Sequence, residues 1–278
     1  MSTPPVLTAL HFYPVKSLAG CAAPEAAVEP WGIAGDRRWM LAGADGMMIT
    51  QRQQPRLALA SAHPLPGGGV RLAAPGADPL DVAVPALAEA GGTVTVQVFR
   101  DKIEAVPAGA AADAWISAYL GIPARLLHMD EPASRRPIDP RYSLPGETVS
   151  FADGYPLLVT TLASLDALNA LIAEGDLPSE GPLPMNRFRP NVVVGGTEPW
   201  AEDGWQRLRI GEVTFRAVKD CARCVVTTTD QSTAERGKEP LRTLARHHRI
   251  GGKAVFGRNL IPEHTGTVRV GDPVEILG

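Results

Sequence analysis

The chain has 278 residues, 45% of them hydrophobic, and a formal net charge of −3. That length accommodates two ordinary domains with sizeable cores, and the charge balance excludes a protein-wide basic footprint for nucleic acid. Its 3 cysteines are too few for a disulfide scaffold, and no apolar run approaches the ~20 residues that span a bilayer.

The opening stretch "MSTPPVLTALHFYPVKS" has neither an apolar signal-peptide core nor an early basic cluster. A soluble protein of a reducing compartment, the cytoplasm, is expected. Within "YPVKSLAG", Lys16 and Ser17 follow a short apolar stretch. In "GIAGDRRWML", Arg37 and Arg38 precede an expected strand. "TVTVQVF" alternates valine with polar residues, as a half-buried strand does. Next, "DAWISAYLG" places Trp115, Ile116, Tyr119 and Leu120 on one helical face, with Gly121 as the stop. In "RLLHMD", His128 belongs to an expected strand. The long proline-rich stretch "PASRRPIDPRYSLPGETVS" is a domain junction or an active-site loop.

In the second half, "SLDALNALIAEG" is a helix with Leu165, Leu168 and Ile172 inward and Gly175 at its end. "NRFRPNVVV" enters a short buried strand. If the chain is extended there, Arg187, Arg189 and Asn191 share one side. "RLRIGEVTFRAV" reads as strand, tight turn, strand, and the tail "GTVRVGDPVEIL" repeats that pattern around Gly271-Asp272-Pro273. "EPLRTLARHHR" is a short helix whose basic end suits the helix dipole, with His247 and His248 as surface or capping residues. Many short strands and few helices predict an α+β, β-rich fold of barrels or curled sheets rather than a doubly wound sheet. The basic residues are candidates for an anionic ligand, because guanidinium matches phosphate bidentately.

The chemistry centres on "KDCARCVVTTTD". One Cys-x-x-Cys pair falls short of the four ligands a structural zinc needs. Redox pairs open a helix that lowers the first thiol's pKa, whereas here a β-branched run predicts strand. Two small buried cysteines remain one reading. Arg223 between them favours another: a thiolate that serves a soft or highly oxidised metal as a single ligand.

Together, "YPVKS", "GDRRW", "FADGYPLLVTT", "NRFRPNVVV", "CARCVVTTTD", "FGRN" and "GTVRVGDPVEIL" resemble the MOSC family. The resemblance is to the branch with an N-terminal MOSC β-barrel, which includes the mitochondrial amidoxime-reducing component and its bacterial relatives. It implies an N-terminal barrel-like domain over 1–120, a MOSC barrel with peripheral helices over 121–278, and the helix ending at Leu120 at their junction. The cofactor implied is Mo-molybdopterin, with Cys224 as the protein's thiolate ligand to the metal and Cys221 not a ligand. Cofactor-holding positions match Lys16, Ser17, Arg37, Gly154, Tyr155, Arg189, Asn191, Ala222, Arg223 and Asn259. Asp153 matches an acidic residue near the metal and is a candidate proton relay. Gly154, Tyr155, Ala222 and Asn259 depart from the mitochondrial pattern, which puts the substrate side of the pocket in question.

The activity implied is two-electron reduction of N-hydroxylated small molecules. A plant-type iron–sulfur cluster needs four cysteines, so electrons are expected from a separate ferredoxin- or flavoprotein-like donor. No nucleic acid partner, membrane span or pyridoxal phosphate is expected. The alternatives are a sulfur carrier using a cysteine persulfide and a cofactor-binding or delivery protein.

Overall fold

The structure, a computed structural model, describes residues 4–278. Residues 1–3, the start of the segment read as lacking a targeting signal, lie outside the described residues. No helix among the described residues is long and apolar enough to cross a membrane. The fold is the β-rich α+β arrangement expected.

A 9-stranded sheet forms the larger part. Its strands Arg207–Ile210 and Val213–Ala222 make the expected hairpin, with Ile210 opposite Val213. Lys253–Pro262 pairs with the second of these. Leu157–Thr161 and Val192–Gly195 then run parallel to each other, and Val6–Phe12 follows antiparallel to Val192–Gly195. Backbone bonds tie the first strand to the approach of the last: Leu7 N to Asp272 O (2.9 Å), Gly271 N to Leu7 O (2.8 Å) and Val274 N to Pro5 O (2.9 Å). The sheet therefore curls back on itself around one apolar core, which includes Leu10, Val159, Val192, Leu208, Phe215 and Leu260.

The smaller part holds a 4-stranded sheet, Trp39–Ala42, Arg125–His128, Asp101–Pro107 and Val94–Val98, and a 3-stranded meander, Ser61–Pro64, Val70–Ala74 and Ala77–Val82. Val96 and Val98 are buried while Thr95 is exposed, as the alternation in "TVTVQVF" dictates. The helix Ala110–Leu120 stops at Gly121, whose left-handed φ of 71° suits glycine.

Two expectations change here. The helix ending at Leu120 does not lie between the two parts. Ala112, Ile116, Tyr119 and Leu120 pack into the smaller part's own core with Leu57, Leu72 and Leu126, and Trp115 Nε1 donates to Asp78 O. The tail strands do not pair with each other. Gly266–Arg269 joins Glu25–Glu29 and Val274–Ile276 joins Arg207–Ile210, because each covers a different edge. Strands from either side of residue 120 also pair with one another. Val6–Phe12 belongs to the larger sheet, whereas Arg125–His128 pairs with Trp39–Ala42 in the smaller one. The proline-rich stretch between them contains one helical turn, Pro132–Arg135, and otherwise irregular chain.

Two helices cover the larger sheet. Leu162–Ala173 is capped by the Thr161 hydroxyl, which accepts from Ser164 N. It buries Leu165, Leu168 and Ile172 against Leu183, Phe188, Leu244 and Phe256. Leu244 comes from the short helix Leu241–His247.

Gly257 marks where the strand carrying "FGRN" presses closest on its neighbour. Its φ is +77°, and a Cβ there would lie 2.5 Å from Val159 O. Gly257→Ala is expected to cost at least about 2 kcal/mol, the left-handed penalty plus the clash. Gly204→Ala, where a Cβ meets nothing within 4 Å, is the control. Urea unfolding of both variants measures the difference.

Candidate functional site

The chain's two crossings between its parts create a cavity. Lys16 and Arg37 sit on adjoining loops laced together by Lys16 N to Trp39 O (2.8 Å) and Arg37 N to Tyr13 O (2.7 Å). Arg37 O then accepts from Phe151 N at 2.9 Å, which brings in the segment carrying Asp153. The structure gathers all of Lys16, Ser17, Arg37, Asp153, Gly154, Tyr155, Arg189, Asn191, Ala222, Arg223, Cys224 and Asn259 around one cavity of about 160 Å³.

Backbone strain concentrates there. Ser17, Arg37 and Arg189 have φ of 71°, 47° and 54°, in the left-handed region that costs a side-chain-bearing residue roughly 1–2 kcal/mol. Three such residues on one cavity wall mark a site where position outweighs local stability.

The charges are close-packed. Lys16, only 4% exposed, donates from Nζ to Phe151 O (2.8 Å) and Asp153 Oδ1 (2.5 Å). Burial pushes its pKa down to about 8, against the opposing pull of Asp153. Crowding by neighbouring atoms works to raise the Asp153 carboxyl, but Lys16, Arg52 and Arg37 outweigh it and hold the group well below the usual carboxylate range. Because its side chain is 66% exposed, the charge contacts and not burial decide the direction. Arg37 is fixed by Asp36 Oδ2 (2.6 Å) and Asn191 Oδ1 (3.1 Å). The guanidinium carbons of Arg37 and Arg189 each lie 4.2 Å from the centroid of buried Tyr13. Burial lowers Arg189 to about 10, so it stays charged at neutral pH. Among the described residues Arg189 has no carboxylate within salt-bridge distance, and Arg223 Nε is buried without a partner. Five cations, Lys16, Arg37, Arg52, Arg189 and Arg223, meet two carboxylates, Asp36 and Asp153. The excess suits an anionic ligand.

Several side chains differ from their sequence reading. "VVTTTD" does not form a strand: Val225–Thr228 is a 3-10 turn. Thr227 and Thr228 donate their hydroxyls to Cys224 O and Val225 O, each at 2.9 Å, a local bond that competes with a sheet ladder. Arg223 turns to Cys221, with Nη1 to Sγ at 2.8 Å, and donates to Phe188 O. The cation beside Cys224 is Arg52, whose Nη2 lies 3.4 Å from both Cys224 Sγ and Asp153 Oδ2. Burial raises the Cys221 thiol despite Arg223. Arg187 is not in line with Arg189. The chain turns at Met185–Arg187, and Arg187 Nη2 lies 3.6 Å from Asp230 Oδ2. Asn191 spends its amide on the protein, accepting from Arg37 and Leu158 N and donating to His11 O. It pins Arg37 and, with one of its two amide hydrogens given to His11 O, still lines the cavity. His248, expected as a surface or capping residue, is the C-cap of the helix Leu241–His247 and is half-buried. It bonds Asp203 and Val255 O and stacks on Trp200 at 3.9 Å.

Sequence reasoning missed Arg52. Its segment, "TQRQQPR", carries no periodic or motif signal. Only the fold brings it to Cys224, held there by Arg236, which donates to the Arg52 carbonyl at 2.8 Å.

Comparison with known proteins follows this geometry. Residues 5–123 match the MOSC N-terminal beta barrel domain and residues 146–275 the MOSC domain. The chain is 34% identical to the Homo sapiens protein named mitochondrial amidoxime-reducing component 1, over 97% of this chain and 82% of that one. It is 33% identical to the Rattus norvegicus mitochondrial amidoxime reducing component 2, over 94% and 80%. It is 30% identical to the Danio rerio molybdenum cofactor sulfurase, over 90% of this chain but 31% of that one.

The depressed pKa of Lys16 fixes a sign. Folding weakens its hold on a proton, from the ordinary 10.5 to about 8. Its contribution to stability is therefore fully present above 10.5 and lost as pH falls through 8. Relative to Lys16→Met, the wild type should gain stability between pH 8 and 10.5, on the order of 1 kcal/mol per pH unit at most. Urea midpoints of both proteins across that window test it, and parallel curves would refute it.

Proposed function

This chain belongs to the MOSC family, with both the N-terminal β-barrel domain and the MOSC domain, and on that premise we propose that it is a molybdenum-cofactor-dependent reductase of N-hydroxylated compounds. The observation that carries the reading is the cationic cavity with Cys224 in its wall and a half-buried, carboxylate-free Arg189 beside it. Such a pocket fits a phosphate-bearing pyranopterin whose own sulfurs leave one metal position for a protein thiolate.

Lys16, Arg37 and Arg189 would hold the anionic end, with Ser17 and Arg223 lining its path. Gly154, Tyr155, Ala222 and Asn259 would shape the remaining wall, and Cys224 would hold the metal. The cofactor supplies the two-electron redox chemistry when bound. The overall change breaks the N–O bond of the substrate, consumes two electrons and two protons, and releases water. The electrons come from a separate donor protein of ferredoxin or flavoprotein type. For protons, the Lys16–Asp153 pair carries one on Nζ, because the carboxylate is held ionised. The hydrogen bond to Oδ1 gives a path by which Asp153 passes it onward. Arg52, in reach of both Asp153 and Cys224, orients the carboxylate and screens the thiolate charge.

Similarity to a molybdenum cofactor sulfurase supports a second reading, a sulfur carrier or cofactor-delivery protein with Cys224 as a persulfide. One experiment separates them. Molybdenum is measured in freshly purified wild type, Cys224→Ser and Cys221→Ser, and each is assayed for benzamidoxime reduction with a chemical reductant and with NADH alone. Stoichiometric metal and activity are expected in wild type, loss of both by at least tenfold in Cys224→Ser, and retention of metal in Cys221→Ser. NADH alone should give no turnover. Labile sulfur on Cys224 without molybdenum would establish the carrier instead.

A further inference from the structure

A second, larger recess of about 720 Å³ opens beside the cavity and shares with it Asp153, Gly154 and Tyr155. Its other walls belong to no residue used above. They come from the turn at Phe99, from the proline-rich stretch after Pro132, and from Lys219 just upstream of the cysteine pair. A small molecule approaching Asp153 from solvent has this groove to lie in.

One wall is aromatic. Tyr155 meets Tyr142 edge to face at 5.9 Å. Lys219 Nζ lies 4.4 Å from the Tyr142 ring centroid and 5.5 Å from that of Tyr155. Phe99 also lines the groove, 37% exposed and held at a left-handed φ of 56°. A phenylalanine on left-handed backbone is uncommon, and such strain persists where the surrounding structure fixes the residue's position. The cations Lys16 and Arg52, which line the first cavity, lie 5.5 and 5.1 Å from the Phe99 ring centroid.

The charges are unequal. Every carboxylate lining the groove is already engaged: Asp101 by Arg136 (2.8 Å), Asp139 by Arg141 (2.6 Å) and Asp153 by Lys16 (2.5 Å). By contrast Arg100, Lys102 and Lys219 have no carboxylate within salt-bridge distance among the described residues. Of these, Lys219 is half-buried against the two tyrosines, so it is screened by solvent less than a surface lysine. Flat rings and a partnerless ammonium in one groove fit a planar ligand with a negative substituent.

We infer that this groove receives the body of the substrate and selects aromatic N-hydroxylated compounds carrying an anionic group, with Phe99 and Tyr155 against the ring and Lys219 on the anion. The inference rests on the reductase reading for the reacting group. The groove's preference for aromatic anions is read from the groove alone.

The test therefore has a binding arm and a turnover arm. In the first, calorimetry compares 4-carboxybenzamide with benzamide on the purified holoenzyme. The carboxylated probe is expected to bind roughly tenfold tighter, about 1.4 kcal/mol. Lys219→Gln should bring the ratio near one, while Lys253→Gln, a distant exposed cation, keeps it. Phe99→Ser should weaken both probes together. In the second arm, 4-carboxybenzamidoxime and benzamidoxime are reduced with a chemical donor, and the same ratio should appear in kcat/KM through KM. Equal affinities in wild type, or a preference that survives Lys219→Gln, overturns the inference. Retained binding preference with no reduction of either amidoxime removes the reductase reading and leaves an aromatic-anion groove.

Discussion

The site depends on a buried ammonium. Lys16 is driven into the seam between the two parts of the molecule, where taking a charge out of water is costly. Two acceptors from one distant segment, the Phe151 carbonyl and the Asp153 carboxylate, make that burial tolerable. The partners stand 135 and 137 residues away in sequence, so the bond draws an early loop and a central one into a fixed relation. Arg37 repeats the device one layer further in. Its carbonyl receives Phe151 N and its guanidinium reaches Asn191. A third segment is thereby set against the other two. The cavity is what remains between them.

Such a cavity is preorganised at a cost the rest of the fold must cover. Left-handed backbone at Ser17, Arg37 and Arg189, two guanidiniums against one tyrosine ring, and an arginine without a counter-ion are all locally unfavourable. They persist because the surrounding cores are well packed. The large sheet curls around one apolar interior, and the smaller part has two clusters of its own. An anion entering the cavity relieves like-charge repulsion that the free protein sustains, so ligand and fold stabilise each other.

Much of the fold was legible in the sequence. Alternation over Val94–Val98 and a three-residue apolar face on Leu162–Ala173 are direct products of strand and helix periods, and both elements form. What stayed hidden follows from competition or from distance. The threonines after Cys224 favour strand by propensity, but their hydroxyls find carbonyls three residues back and tighten the chain into a turn. Arg187 and Arg189 share a side only on extended backbone, and a left-handed residue breaks that premise. Arg223 stands beside Cys224 in the chain yet bonds Cys221, because the bend at the strand end swings its side chain toward Phe188. Arg52 has no local signal at all. Its relation to Cys224 spans 172 residues and exists only once both parts have docked. The candidate site was legible as a set of residues through resemblance to a family, and its internal contacts were not.

The seam between Leu7 and the Gly271–Asp272 turn bears on biosynthesis. A ribosome delivers the strand Val6–Phe12 long before the segment around Gly271–Asp272 that covers its open flank. Until then the nascent polypeptide carries an uncapped edge of main-chain donors and acceptors, a template for wrong pairing with neighbouring chains. That flank is covered only once the segment around Gly271–Asp272 is in place, and crowded expression at high temperature is where this protein would be most prone to misassemble.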